Sequence, residues 1–293
     1  MARAIRFLKQ NQTKFSKLFL GLCHIKSHWE AWADFIAMSA LAVSNSLDRE
    51  GSTYDAREQE YLTIIGKYTK AEQQIFPQLF GLMVEALEND PNQDFLGEMF
   101  MGFNLSNHWK GQFFTPYNVC RLTAEMQLND LETRIEKQGW VGISDPCCGA
   151  GAMLIAARNV MVQKRLGPTT ALYVAQDIDR TAALMCYLQL SLLGCAGYVV
   201  VADSFKYPIT GPGRTPLLLT PTPEQEIWLM PALFDDVWYG RIQWERMRLA
   251  LEGLDIMSSK SPIQKKTPSQ KRPKIKPVPQ SLNKEAGGQL TLF

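Results

Sequence analysis

Apolar residues recur at helical spacing through the N-terminal third of the chain. The pattern runs from Trp29 to Ala40 and again from Phe76 to Leu87, with an apolar side chain every three or four positions. Asn89-Asp-Pro91 ends the second helix, because proline lacks the amide hydrogen that a helix interior needs. A shorter helix is predicted from Asp94 to Met101. Residues 1–108 are therefore predicted to form a helical region.

The pattern changes after Gly111, where short apolar runs alternate with helical stretches. The predicted strands are Trp140–Asp145, Ala171–Ala175 and Tyr198–Ala202, and the predicted helices are Pro116–Asn129, Gly151–Lys164 and Arg180–Leu193. Alternation of strand and helix predicts an α/β fold whose parallel strands are joined by right-handed crossovers. This second unit is expected to cover residues 109–257 and to include a helix from Asp235 to Leu254.

The C-terminal segment, residues 258–293, differs from the rest of the chain in composition. It is rich in Lys, Pro and Ser, which predicts a disordered linker. Eight basic residues and one acid between Ser258 and Gly288 give it a charge of +7, so the remainder of the chain carries −5 of the total of +2. A protein that binds DNA by itself usually presents a basic face. Any contact with DNA is therefore expected to come through this tail or through a partner subunit.

The composition argues against a membrane protein and against a metal site. The longest apolar stretch, Phe35–Val43, is too short to span a bilayer, and no secretory signal peptide stands out. We therefore predict a cytoplasmic protein whose six cysteines are reduced thiols. Cys23, His24 and His28 lie close together, but no fourth ligand has suitable spacing, and no metal is predicted.

The segment Asp145-Pro-Cys-Cys-Gly-Ala-Gly151 joins the first predicted strand to its helix. Open α/β sheets bind their ligands at this carboxyl edge. Gly149 and Gly151 let the main chain approach a ligand, because no Cβ stands in the way, and Asp145 could accept hydrogen bonds from an ammonium group. A dinucleotide-binding fold is the alternative, but Leu154 occupies its third glycine position.

Acidic residues also follow the second and third predicted strands. Asp177 could accept hydrogen bonds from two ribose hydroxyls, as an acid at the second strand does in nucleotide-binding sheets, and Asp203 could accept one from an adenine amino group. Either acid alone would more often be a helix cap or a loop residue. Three acids at three successive strand ends make a ligand pocket the better interpretation.

The motifs Gly111-Gln-Phe-Phe-Thr-Pro116, DPCCGAG, AQDID and ADS, in this order, resemble those of the N6-adenine DNA methylase family. The modification subunits of type I restriction systems are the most similar group, and the resemblance covers about residues 94–205. It implies an α/β fold of the class I S-adenosylmethionine-dependent, Rossmann-like methyltransferases. It also implies S-adenosylmethionine as the methyl donor.

The resemblance also implies which residues contact the cofactor. Phe114 and Thr115 would contact it, Asp177 would hold its ribose, and Asp203 its adenine. The methionine part would lie in the turn that contains Asp145, Pro146, Gly149 and Gly151.

The motif with which this family holds the target adenine is missing from the sequence. Such enzymes flip the base out and hold it with an (Asn/Asp/Ser)-Pro-Pro-aromatic motif at the end of the fourth strand. The chain has no Pro-Pro dipeptide, and the nearest candidate is the apolar run Leu217–Thr220 before Pro221. We therefore predict an incomplete sheet and assign no catalytic residue. Two functions remain open: an adenine-specific DNA methyltransferase completed by a partner, and a catalytically inactive module that acts through protein partners.

The last five residues of the chain suggest one such partner. Gln289, Leu290, Leu292 and Phe293 resemble the short peptide by which bacterial polymerases and repair proteins bind the sliding clamp. A tail that contacts nothing is the alternative.

Overall fold

The computed structural model describes residues 9–22, 26–47, 52–105, 113–209 and 215–252. The predicted linker with its clamp-like peptide lies outside these residues, as do Gly111, Gln112, Cys23 and His24.

The N-terminal region is helical, as the apolar pattern predicts. Its helices are α1 (Gln10–Leu20), α2 (His28–Asn45), α3 (Ser52–Ile65), α4 (Lys70–Gln73), α5 (Ile75–Asn89) and α6 (Phe95–Gly102). A capping box begins α2, in which the Ser27 hydroxyl accepts the amide of Glu30 while the Glu30 carboxylate accepts the amide of Ser27. Rings from α1, α2 and α6 pack together, with the Phe15 ring 5.5 Å from those of Phe35 and Phe95.

The second half alternates strands and helices. Its elements are α7 (Tyr117–Gln127), α8 (Leu131–Gln138), β1 (Val141–Asp145), α9 (Ala152–Gln163), β2 (Ala171–Asp177), α10 (Arg180–Leu192), β3 (Ala196–Val201), β4 (Glu226–Leu229) and α11 (Asp236–Leu251). The three predicted strands and the predicted helices that correspond to α7, α9 and α10 are confirmed within a few residues. Two short elements, α8 and β4, have no counterpart in the prediction.

The four strands form one sheet in the order β1-β2-β3-β4. The first three are parallel, with Asp145 opposite Ala175 and Asp177 opposite Val201, which confirms the predicted α/β class. The fourth strand, which the sequence did not predict, runs antiparallel to β3. Among the described residues no strand pairs with the outer edge of β1.

The apolar run at Leu217 requires a correction. The sequence offered it as the nearest candidate for the end of a fourth strand, but Leu217 and Leu218 are not in a strand. They are buried against β2, β3 and the apolar side of α11, in a cluster with Trp238 and Ile242. Thr220 lies in the irregular segment that leads to β4.

The two faces of the sheet have different coverings. One face packs against α9 and α10, and its core is continuous with the core of the N-terminal helices. The other face packs against α11, which covers Leu172 and Val174 of β2 and Tyr198 and Val200 of β3. This second covering does not extend fully over β1, where Gly142 and Ser144 are exposed.

A buried amide joins the helical region to the loop after β1. The side-chain nitrogen of Gln189, in α10, donates to Asp94 Oδ1 at 2.8 Å and to the carbonyl of Ala150 at 2.9 Å. Its oxygen accepts the amide of Leu96 at 3.0 Å. Asp94 also caps α6 by accepting the amide of Gly97, where a side chain would collide with the carboxylate. One glutamine therefore fixes the start of α6 relative to the loop after β1.

Burial raises the pKa of Asp94 to about 6, against the opposing effect of the hydrogen bonds from Gln189 and Gly97. A carboxyl whose pKa is higher in the folded than in the unfolded protein favours folding while it is protonated. That contribution is lost as the pH rises from about 4 to about 6.

We predict that Asp94→Asn removes this pH dependence. Relative to the variant, the wild-type free energy of unfolding should fall by about 2 kcal/mol between pH 4 and pH 7. Urea titrations of both proteins at several pH values measure the difference. If the free energy of unfolding changed with pH in the same way for both proteins, Asp94 would not titrate in this range.

Candidate functional site

The ends of three parallel strands bring together the acids that the sequence singled out. Asp145 and Asp177 are the last residues of β1 and β2, and Asp203 follows β3 by two positions. The loops after β1 and β3 approach each other across the end of β2, where Cys147 Sγ lies 3.9 Å from Ser204 Oγ. The three acids therefore surround one edge of the sheet, as predicted.

The turn after β1 requires its two glycines. Gly149 and Gly151 have φ angles of 52° and 94°, in the left-handed region that side chains disfavour. A Cβ on Gly149 would lie 3.0 Å from the ring of Phe114, and one on Gly151 would lie 2.8 Å from the sulfur of Cys186. The main chain of this turn is therefore packed from behind and presents backbone atoms at the sheet edge.

Asp177 holds this turn against β2. Its Oδ2 accepts the amide of Gly149 at 2.8 Å and its Oδ1 accepts the amide of Asp179 at 2.9 Å. Each carboxylate oxygen keeps one lone pair for a further donor. Burial raises the pKa of Asp177, and these two hydrogen bonds oppose the shift.

The other two acids also receive backbone hydrogen bonds. Asp145 Oδ1 accepts the amide of Cys147 at 3.1 Å, and burial raises the pKa of Asp145. Asp203 Oδ1 accepts the amides of Phe205 and Lys206, at 3.0 and 3.2 Å. Both side chains are partly exposed, so a ligand can reach them.

The segment before α7 packs against the glycine turn. The Phe114 ring contacts Gly149 and lies 5.1 Å from the ring of Phe100 in α6. Thr115 is exposed, and its carbonyl accepts the thiol of Cys120. Pro146 is exposed on the turn itself. The structure thus places all eight residues predicted to contact a cofactor at or beside this edge.

Two apolar residues at the same edge escaped sequence reasoning. Ile178 directly follows β2 and is 71% exposed, while Phe205 follows Asp203 and Ser204 and is 93% exposed. Their side chains add apolar surface to an edge that is otherwise lined by carboxylates and backbone groups. The signal in the sequence was an apolar residue in each acid-containing loop.

Two glutamines that support the site were also missed. Gln176, buried at the end of β2, donates to the carbonyl of Tyr207 at 2.8 Å and so holds the loop after β3. Gln189 holds the glycine turn through the carbonyl of Ala150. A glutamine inside an apolar run marks such a buried polar contact, but it does not reveal the partner.

The described residues show no alternative metal chemistry. No group of three or more His, Cys, Asp or Glu side chains among them could hold a metal ion. Nor is any helix found in the described ranges long and apolar enough to cross a membrane.

The fourth strand is the main departure from the predicted enzyme. The resemblance implies an adenine-holding motif at the end of that strand. In the part of the chain that the structure describes, the fourth strand lies beside β3, runs antiparallel to it and does not end beside Asp145.

Comparison with known protein families finds a match for the part of the chain that contains this site. Residues 92–226 match the model of the N-6 DNA methylase family, which confirms the resemblance seen in the motifs. Searches of curated proteins and of solved structures found no match. The region from α6 to the start of β4 is therefore an N-6 DNA methylase-like unit with an α/β fold.

We predict that Gly151→Ala destabilises the protein by at least about 2 kcal/mol, because the new Cβ combines a positive φ with a collision against Cys186. Urea unfolding measures the change. Gly81→Ala is the matched control, because Gly81 lies in α5 with open space around it, and this change should stabilise by about 0.5–1 kcal/mol. Equal stability of the Gly151→Ala variant and the wild type would contradict the prediction.

Proposed function

We propose that residues 113–209 bind S-adenosylmethionine and that the protein serves the methylation of adenine N6 in DNA. The observation that carries the proposal is the convergence of Asp145, Asp177 and Asp203 around a turn whose glycines have positive φ angles. The family match supports the chemical class.

The residues present fit the polar parts of this cofactor. Asp145 is a partly exposed carboxylate beside the turn and suits the methionine ammonium group. Asp177 has two lone pairs left after binding Gly149 and Asp179, which suits two ribose hydroxyls. The cofactor would supply an electrophilic methyl group at this edge of the sheet.

The residues also fit an adenine ring. Ile178 and Phe205 offer apolar surface on the loops after β2 and β3, where the ring would follow the ribose at Asp177. Asp203, directly before Ser204 and Phe205, suits the amino group of that ring. Phe114 and Gln189 keep the glycine turn in place rather than contacting the reacting atoms.

We predict that Phe205→Ala weakens S-adenosylmethionine binding about tenfold, because an aromatic stacking partner contributes on the order of 1–3 kcal/mol. Phe205 is almost fully exposed, so the fold should be unaffected. Leu62→Ala, at an exposed apolar position of α3, is the control and should bind like the wild type. Calorimetric titration measures both affinities.

The same titration tests the acids. Asp145→Ala and Asp177→Ala should each weaken binding. Because burial raises the pKa of Asp145, wild-type affinity should begin to fall, on acidification, at a pH above the ordinary carboxyl value of 3.8. Failure of the wild-type protein to bind S-adenosylmethionine would contradict the whole assignment.

The transfer step needs groups that the described residues do not provide. Adenine's amino group is a poor nucleophile, since its lone pair is delocalised into the ring, and it must be held by an amide or carboxylate and a stacked aromatic. No described strand brings such groups beside Asp145. We propose that a second polypeptide supplies them and that this chain is the cofactor-binding half of the enzyme.

We predict that the purified chain binds S-adenosylmethionine but transfers no labelled methyl group to DNA of mixed sequence above a heat-killed control. Incorporation by the chain alone would show that it holds adenine unaided and would refute the need for a partner.

The second candidate is a catalytically inactive, DNA-associated module that binds the cofactor and acts through partners such as the sliding clamp. The absence of an adenine-holding Pro-Pro motif from the sequence favours it. The clamp contact would come from Gln289, Leu290, Leu292 and Phe293, outside the described residues. Clamp pull-down by the full chain, compared with that of a Leu292→Ala variant, tests this contact: equal recovery would remove it.

A further inference from the structure

A small pocket opens at the amino-terminal edge of the sheet, opposite the proposed cofactor site. It has a volume of about 230 Å³ and lies where α9 and α10 end and where β2 and β3 begin. Tyr173 in this pocket and Asp177 at the other end of β2 are four residues apart, which is about 13 Å along a strand. The pocket is therefore separate from the site described above.

Apolar groups form most of the pocket wall. They come from the ends of both helices and the starts of both strands and include Met161, Leu166, Pro168, Ala171, Leu193 and Cys195. Gly167 and Gly194, which also line the pocket, are exposed and leave it accessible from solvent. A cavity of about 150 Å³ holds one benzene molecule. This pocket therefore has room for one ring or one branched chain that carries a small polar group.

The two helices end in the same way beside the pocket. Each end has a residue with a positive φ angle, and the next amide donates to the carbonyl five positions earlier at 3.0 Å, in the pairs Leu166–Met161 and Cys195–Leu190. The last carbonyl groups of a helix carry partial negative charge when they have no partner. These capping bonds reduce the number of such groups at the pocket and bring apolar side chains to it instead.

The hydroxyl of Tyr173 lacks a partner inside the protein. Tyr173 is only 4% exposed, and it lies on the side of β2 that faces the helices. Within the described ranges its hydroxyl makes no hydrogen bond, and protein atoms do not enclose it completely. Buried tyrosine hydroxyls usually have a hydrogen-bond partner. Because Tyr173 lines the pocket, a molecule bound there can supply that partner.

Arg158 brings positive charge to the same pocket. Among the described residues its side chain makes one hydrogen bond, from Nη1 to Asn159 Oδ1 at 2.9 Å, and no carboxylate pairs with it. A guanidinium has five N–H donors, so most of those on Arg158 remain available. Burial raises the pKa of Tyr173 and of Cys195, and the nearby charge of Arg158 opposes both shifts. The positive charge therefore lies close to the unpartnered hydroxyl.

We propose that this pocket binds a small carboxylic acid with an apolar body, either a single aromatic ring or a branched aliphatic chain. The carboxylate pairs with Arg158 and accepts the hydroxyl of Tyr173, since a guanidinium and a hydroxyl are both donors that suit it. Met161, Leu166 and Leu193 enclose the apolar body. The proposal does not depend on cofactor binding, because it uses the opposite edge of the sheet.

A free inorganic anion suits the pocket less well. Phosphate has polar oxygens on every side, whereas the pocket offers its donors from Arg158 and Tyr173 and has apolar walls elsewhere. A polar group placed against apolar walls loses its hydration without gaining hydrogen bonds. An acid with one charged end and one apolar end matches both parts of the pocket.

Calorimetric titration of the full chain with benzoate and with isovalerate tests the proposal. At least one of the two acids should bind with a Kd of about 1 mM or tighter. Arg158→Gln should weaken that binding at least about tenfold, and Tyr173→Phe about threefold to tenfold, because each variant removes a hydrogen bond to the carboxylate. Arg134→Gln, at an exposed position of α8 outside the pocket, is the matched control and should bind like the wild type. Urea unfolding checks that each variant is folded.

Any of four results would overturn the proposal. The first is no binding of either acid by the wild type up to about 10 mM. The second is equal affinity for benzyl alcohol, which has the same ring but no charge. The third is unchanged affinity in both Arg158→Gln and Tyr173→Phe, which would place the acid elsewhere. The fourth is displacement of the acid by an equal concentration of inorganic phosphate, which would make the pocket a site for free anions.

Titration of the same samples with S-adenosylmethionine keeps the two proposals apart. Arg158→Gln and Tyr173→Phe should bind S-adenosylmethionine like the wild type, and saturating benzoate should not displace it. Failure at the cofactor edge therefore leaves the result for this pocket readable, and failure at this pocket leaves the cofactor assignment unaffected.

Discussion

The buried side chain of Gln189 is the contact on which the candidate site depends most. Its amide group bonds to the cap of α6, to the first turn of α6 and to the loop after β1. Each partner is buried, so the loss of this one side chain would leave several polar groups without hydrogen bonds in the core. The helical region thus acts as a rigid support for the glycine turn.

The turn itself is held from three directions. Phe114 packs on Gly149, Cys186 packs on Gly151, and Asp177 accepts the amide of Gly149. These contacts join the glycine turn to Asp177, which lies 28 positions later in the sequence. It also means that Asp177 has a structural role in addition to the ribose contact proposed for it.

The last strand of the sheet is tied to the helical region by ion pairs. Beside β3 lies the antiparallel β4, and Arg180 holds it by pairing with Glu226 and with Glu60 of α3, both at 2.9 Å. Among the described residues no further strand pairs with the outer edge of β1 or of β4.

Local sequence determined the elements and the residue types of the site. Apolar periodicity located most of the longer helices and the three parallel strands, because burial of one helix side or of a whole strand dictates those patterns. The motifs located the acids and the glycines, because they lie next to one another in the loops that follow the strands. The two glycines are needed there because the turn after β1 has positive φ angles.

Only the tertiary structure decided where the remaining segments lie. The four residues of β4 are too few to show a period, and the run at Leu217 is apolar because it lies under α11 rather than in a strand. The partners of Gln176 and Gln189 and the exposure of Ile178 and Phe205 depend on contacts between residues distant in sequence. No local pattern encodes such contacts, so the sequence determined which residues make up the site, and the fold decided which other residues hold them in place.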